Sequence, residues 1–235
     1  VVKYRGQRYR GGFHDFVIAT GGVKVFPRLV SAEHRTEFKR DVLATESAEL
    51  NALLGGGVER GSSVLILGPA GTGKSLLALT FIAGSVDRGE NAAMFVFDEE
   101  LGLLIERAKG LGIDIAEMVE SGKLVIEQID AAEMTPGELS ARVRRCVEEH
   151  HAKTVVIDSL NGYQAAMPEE QALILHMHEL LQYLNRQGCS TFLTVAQHGL
   201  VGDMKAPVDV TYLAETVVLL RYSEAHARVR RAMSV

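Results

Sequence analysis

Cysteine is scarce in this 235-residue chain, and the scarcity excludes the small stapled folds. Cys146 and Cys189 are too few for a disulfide framework, and neither sits at a metal-ligand spacing. No secretory leader is recognisable and no apolar run is long enough to span a membrane, so a reducing cytoplasm is the expected setting. An excess of positive charge is also missing: 25 Lys and Arg face 30 Asp and Glu, a net charge of −5. That balance argues against a protein whose main task is coating nucleic acid, while leaving room for a local basic patch. Coiled-coil heptads, low-complexity tracts and repeat arrays are lacking too. What remains is a chain with 47% hydrophobic residues, enough for a substantial core. Its length suits one α/β domain, alone or with an appendage. It begins with Val1 rather than Met, which reads as a piece of something longer.

The most informative stretch is Gly68-Pro69-Ala70-Gly71-Thr72-Gly73-Lys74-Ser75. The apolar run 63–67 before it suits a buried strand, and residues 76–83, starting at Leu76, are good helix material. A glycine-rich turn between strand and helix is the context of a phosphate-binding loop. Its backbone N–H groups and the helix N-terminus converge on one anion. Lys74 supplies positive charge for the outer phosphates, and the Ser75 hydroxyl is a suitable hard ligand for Mg²⁺. The pattern predicts nucleoside triphosphate binding by Gly68, Ala70, Gly71, Thr72, Gly73, Lys74, Ser75 and Leu76.

Two further strands end in acids. Residues 92–97 run into Asp98, Glu99 and Glu100. Ligands of α/β sheets sit outside the carboxyl ends of the strands, so these carboxylates face the expected pocket. Glu99 is the candidate for orienting the attacking water, with Asp98 as helper or alternative. The competing reading makes all three ordinary helix-start charges, and Glu100 fits that role best. Residues 154–158 form a second such strand, ending in Asp158 as the second Mg²⁺ anchor, with Ser159 beside it. The strand at 191–196 ends at Gln197, placed either to sense the γ-phosphate or merely to close the strand.

Between these lie helices over 102–111, stopped by Gly112, and from Thr135 to about 150, where Thr135, Pro136 and Glu138 give a cap, a first-turn proline and a capping box. A third runs over 169–187 with an apolar face at Leu173, Leu180, Leu181 and Leu184; His176 and His178 lie on different faces and make no metal pair. Residues 113–122 read as a short polar stretch, 123–127 as a strand, 198–210 as a mobile loop, and 216–222 with 228–235 as a terminal hairpin turning over 223–227. The alternation predicts an α/β fold: a mostly parallel central sheet with helices on both faces and an antiparallel C-terminal hairpin.

The phosphate loop with the preceding stretch 55–61, the Phe97-Asp98-Glu99 strand end, the 155–160 segment around Asp158, and the terminal strands 219–222 and 228–235 together resemble the KaiC-like branch of the RecA superfamily, over nearly the whole chain. The resemblance implies a RecA-like P-loop NTPase that hydrolyses ATP with Mg²⁺, tandem modules, and a homo-oligomeric ring, six-membered in that family, with ATP between neighbours. It also implies a signalling or clock-like role with a protein partner the sequence does not name. Lys3-Tyr4-Arg5-Gly6 resembles the Lys-x-Arg-Gly finger that ends such a module, and 14–18 with 25–28 resemble the hairpin and connector after it. On that resemblance, 1–38 is the tail and linker of a preceding module and 39–235 is the ATPase module. Lys3 and Arg5 would then reach a neighbouring site to stabilise charge on the transferring phosphoryl group. Where the clock members phosphorylate a Ser-Thr pair, this chain has Thr211-Tyr212. Thr211 stays a candidate phosphosite, and hydrolysis without a timekeeping autokinase is the simpler expectation. Two competing functions stand beside it: a RecA-like DNA recombination or helicase motor, disfavoured because 198–210 offers only Lys205 against Asp203 and Asp209, and a non-hydrolysing ATP-cemented scaffold.

Overall fold

The computed structural model describes residues 5–167, 169–197, 211–225 and 228–235. Lys3 and the whole 198–210 segment, Lys205, Asp203 and Asp209 included, lie outside the described residues.

A hairpin comes first, β1 (Asp15–Ala19) with β2 (Gly22–Phe26). Two short paired strands, β3 (Val42–Leu43) and β4 (Val58–Glu59), bracket helix α1 (Ala48–Leu53). The expected alternation follows as β5 (Ser63–Gly68), α2 (Lys74–Asp87), β6 (Asn91–Val96), α3 (Leu101–Lys109), α4 (Ile115–Glu120) and β7 (Leu124–Gln128). It continues through α5 (Pro136–Glu148), β8 (Ala152–Asp158), α6 (Leu160–Ala166), α7 (Glu170–Arg186) and β9 (Ser190–Ala196). Strands β10 (Thr216–Ala225) and β11 (Arg228–Ser234) form the antiparallel end.

The seven-stranded sheet runs β11-β10-β5-β9-β8-β6-β7, parallel at every pairing except β10 with β11. Its strands alternate with period two between two cores. Leu65, Leu67, Phe95, Val155, Ile157, Leu193 and Val195 face α5 and α7, whereas Val64, Ile66, Met94, Val156 and Phe192 face α2 and α3. Burial on both faces is why these strands read as continuous apolar runs. Phe192 stacks on Phe81 of α2 with ring centroids 4.4 Å apart.

Local capping explains the helix boundaries. Thr135 Oγ1 accepts from the Glu138 N–H at 3.2 Å, as expected, but the Glu138 carboxylate takes a bond from Arg142 at 3.0 Å, so it serves an ion pair on its own helix. The stretch read as polar loop contains α4, started by Asp114 accepting from Glu117 N–H. The strands of the terminal hairpin run further than expected, to Ala225 and from Arg228.

The N-terminal segment lies on its own chain. Asp15 Oδ2 accepts from Gly137 N–H at the start of α5 at 2.6 Å, and Phe26 and Leu29 are buried. Arg186 of α7 donates to the Ser31 carbonyl, and Thr36 N–H donates to the Arg186 carbonyl, both at 3.1 Å. Arg60, only 5% exposed in its side chain, then ties the chain ahead of β3 to the central sheet. It pairs with Asp41 at 3.3 Å and with Glu90, and donates to the Lys153 carbonyl at 3.3 Å. Among the described residues, no helix is long and apolar enough to cross a membrane.

Asp41 and Glu90 are partly exposed and also pair with Arg88, at 2.8 and 3.9 Å, so losing Arg60 costs them a hydrogen-bonded partner without stranding a buried charge. Arg60→Ala is therefore expected to lower the unfolding free energy by about 1–3 kcal/mol, read as a lower urea midpoint. An unchanged midpoint would show that Asp41 and Glu90 do not depend on it.

Candidate nucleotide site

The carboxyl ends of the central parallel strands deliver Gly68, Asp158 and Ala196 to one edge, with Gly68 opposite Ala196 and Asp158 opposite Val96. The phosphate loop springs from Gly68 and ends at Gly73, the α2 N-cap, whose φ of 102° and ψ of 23° are left-handed and suit glycine. Lys74 curls back over the loop: its Nζ donates to the Gly68 and Pro69 carbonyls, each at 2.9 Å. Neither carbonyl depends on it. Gly68 O also accepts from Gln197 N–H at 3.0 Å, and Pro69 O from the buried Thr72 hydroxyl at 2.8 Å. Desolvation holds the Lys74 ammonium below the ordinary lysine pKa, opposed by the Asp158 carboxylate. A Cβ on Gly71 would fall 3.0 Å from the Tyr222 hydroxyl, which donates to the Ala70 carbonyl at 3.2 Å. Ser75 and Leu76 stand half-buried in the first turn of α2, Leu76 packed against the core on that side.

Asp158 is buried. The Thr194 hydroxyl donates to its Oδ1, while its Oδ2 has no partner among the described residues. A buried carboxylate oxygen without a donor is costly, and it fits the water shell of a cation at this point better than a structural role. Gln197 shows the same signature: its buried Oε1 has no partner among the described residues, although its backbone closes the strand onto Gly68.

The three consecutive acids separate into three roles. Glu100 caps α3, accepting from the Gly102 and Leu103 N–H groups at 2.9 and 2.8 Å, and those two bonds hold its carboxyl below the usual range. Asp98 accepts from the Ser159 hydroxyl, and a Cβ on Gly162 would fall 2.5 Å from Asp98 Oδ1, so the first turn of α6 rests directly on it. Glu99 is half-buried and paired with Arg107 of α3. Sequence reasoning missed Thr194, Arg107, Tyr222 and Asn161. Asn161 Oδ1 accepts from Ala196 N–H at 2.6 Å and its amide donates back to Ala196 O at 3.2 Å, which clamps the strand end before Gln197. The structure does not gather the other candidates here. Arg5 is exposed in a turn of the N-terminal segment, and Thr211 opens the short 3₁₀ turn Thr211–Leu213 ahead of β10. Among the described residues, no cluster of three His, Cys, Asp or Glu forms a metal cage.

Lys74→Met removes a desolvated charge whose two carbonyls keep other donors. The ligand-free variant is expected to melt higher than wild type at neutral pH. Because the Lys74 pKa is lowered on folding, that gain shrinks as the pH rises toward 10.5, where the unfolded lysine also loses its proton. ATP affinity is expected to fall roughly tenfold to hundredfold. Thermal melts across pH with parallel ATP titrations check both, and unchanged ATP affinity would remove Lys74 from the site.

The chain is similar in sequence to known proteins. The family model described as "ATPase: KaiC" matches residues 43–235. Circadian clock protein KaiC3 of Synechocystis sp. is 27% identical over 241 residues, covering 100% of this chain and 46% of that protein. Circadian clock protein KaiC2 of the same organism is 30% identical over 222 residues, 92% of this chain and 38% of that protein. Circadian clock oscillator protein KaiC of Picosynechococcus sp. is 25% identical over 239 residues, 100% of this chain and 45% of that protein. The chain thus spans less than half the length of these relatives. With the parallel sheet, the loop at its carboxyl edge and a match over most of its length, the chain belongs to the KaiC family of ATPases.

Proposed function

We propose that this chain hydrolyses ATP with Mg²⁺, as one member of a ring of like subunits, hexameric by resemblance, in a cytoplasmic signalling system related to the circadian clock. The observation that carries the reading is the partnerless Oδ2 of Asp158, buried at the same strand edge as Lys74. Asp158 and Ser75 together make a hard-oxygen donor set that fits an aquated Mg²⁺. When bound, Mg²⁺ would offset the charge of the outer phosphates. Lys74 exchanges its two carbonyls for phosphate oxygens. Glu99 leaves Arg107, orients a water and accepts its proton as the water oxygen attacks the γ-phosphorus. The bond from phosphorus to the ADP oxygen breaks, and that oxygen keeps the electron pair. Asp98, held by Ser159, positions the strand end beneath Glu99, and Gln197 senses the γ-phosphate by donating its side-chain amide N–H groups to it.

Residues 1–38 are taken as the tail of a preceding module and 39–235 as the ATPase module, with Lys3 and Arg5 as a finger for a neighbouring site. The docking of β1–β2 on α5 supports a tail that packs in cis. Thr211, exposed, remains the candidate acceptor for autophosphorylation. Burial pushes the unpaired thiols of Cys146 and Cys189 up to about 11 and about 12, which suits a reducing compartment. The signalling partner is a protein of unknown identity; DNA is disfavoured by the acidic charge balance.

Glu99→Gln is expected to reduce ATP turnover by about 10²- to 10⁴-fold while light scattering shows Mg-ATP-dependent assembly retained. Equal turnover in both proteins would contradict the assignment of Glu99. Assembly without turnover in either would favour the ATP-cemented scaffold.

A further inference from the structure

A cavity of about 240 Å³ opens between the β1–β2 hairpin and helices α5 and α7, sharing no residue with the phosphate loop. Phe26, Leu29 and Met167 give it apolar walls. At its rim Phe13 is 99% exposed and Leu175 58%, two large apolar side chains that nothing covers. Its charged groups are already engaged: Asp15 with Gly137 N–H at 2.6 Å, and Glu179 with Arg28 at 3.6 Å. Asp15 keeps its negative charge, since a backbone N–H does not cancel it, and the other polar groups are neutral. Ser140 Oγ lies 3.4 Å from His176 Nε2, a long and adaptable pairing, and burial pushes the His176 pKa down to about 4 although Asp15 opposes it.

We propose that this cavity is an effector site for a small uncharged aromatic molecule bearing one hydroxyl, and that its occupant acts on the nucleotide site through α6. An anionic ligand would lose its hydration and face the Asp15 carboxylate, whose charge a backbone N–H does not cancel. A flat ring would cover Phe13 and contact Met167, surfaces that favour aromatic partners. Its hydroxyl would enter the loose pair of Ser140 and His176. The route to the chemistry is short. Met167, in the wall, is the C-cap of α6, and the seven-residue helix spans roughly 10 Å. At its other end Ser159 holds Asp98, and Asn161 clamps Ala196. The Tyr163 ring sits 5.7 Å from His176 and 5.5 Å from Phe97, the residue before Asp98. Among the described residues its buried hydroxyl has no partner, so none of them pins that ring by a polar contact.

The binding half stands alone; the coupling half rests on the ATP-binding reading. The probe is 2-naphthol, with 2-naphthoate as the charged control, titrated into the isotope-labelled chain while amide shifts and ATP affinity are both read. Expected are saturable shifts at 136–140 and 172–179, binding of 2-naphthoate at least roughly tenfold weaker, loss of binding in Ala172→Trp, and ATP affinity altered by 2-naphthol in wild type alone. Should Ala172→Trp not fold, Ser140→Ala decides, with binding weakened about fivefold. No saturable shifts, shifts elsewhere, or equal binding of the two probes would overturn the site. Saturable shifts with unaltered ATP affinity would overturn the coupling, and a failure to bind ATP at all would instead remove the ATPase reading while leaving the shifts to stand or fall separately.

Discussion

The backbone ladder joining β5 to β9 and β9 to β8 fixes where Gly68, Ala196 and Asp158 emerge, and the chemistry of the molecule is built on those three positions. Because the ladder is buried on both faces, its register cannot slip without moving apolar side chains between the two cores. The strand ends are therefore held by the whole sheet. Polar groups accumulate there because backbone N–H and carbonyl groups need partners where the ladder stops. Gly68 O, shared between Lys74 and Gln197, and the Asn161 clamp on Ala196 are instances of that need being met by residues at the site itself.

Two buried charged residues behave differently, and the contrast locates function. Arg60 is fully engaged, by Asp41, Glu90 and a carbonyl, and holds elements together. Asp158 is equally inaccessible yet keeps one oxygen without a donor, and Lys74 sits on carbonyls that do not need it. A charge that folding leaves incompletely paired is poised for a ligand. The Glu99–Arg107 pair belongs to the same group: a half-buried carboxylate engaged by an exposed cation that solvent screens, hence one that is readily exchanged.

The strand, glycine-rich turn and helix around 68–75 were legible because consecutive residues carry the pattern between an apolar run and helix formers. Asp158 and the Glu100 cap were legible for a similar local reason, each closing or opening an element. Thr194 and Asn161 were not, since a threonine inside a strand and an asparagine after a serine are ordinary in sequence. Only the register of β8 against β9, and the packing of α6 under the sheet edge, bring them to the site. Helix α6 itself was missed because seven residues containing Gly162 give little periodicity, and α4 because its cap, Asp114, sits in a polar stretch. The cavity under the hairpin joins segments more than a hundred residues apart, beyond the reach of any local pattern.

The central claim is that Asp158 and Ser75 complete a cation site for a triphosphate cradled by the loop after β5. Calorimetric ATP affinity with and without Mg²⁺, for wild type and Asp158→Asn, addresses it most directly. The account predicts that Mg²⁺ tightens ATP binding to wild type and that Asp158→Asn loses most of this dependence while still folding. An equal Mg²⁺ dependence in both proteins, or no ATP binding to wild type, would contradict it.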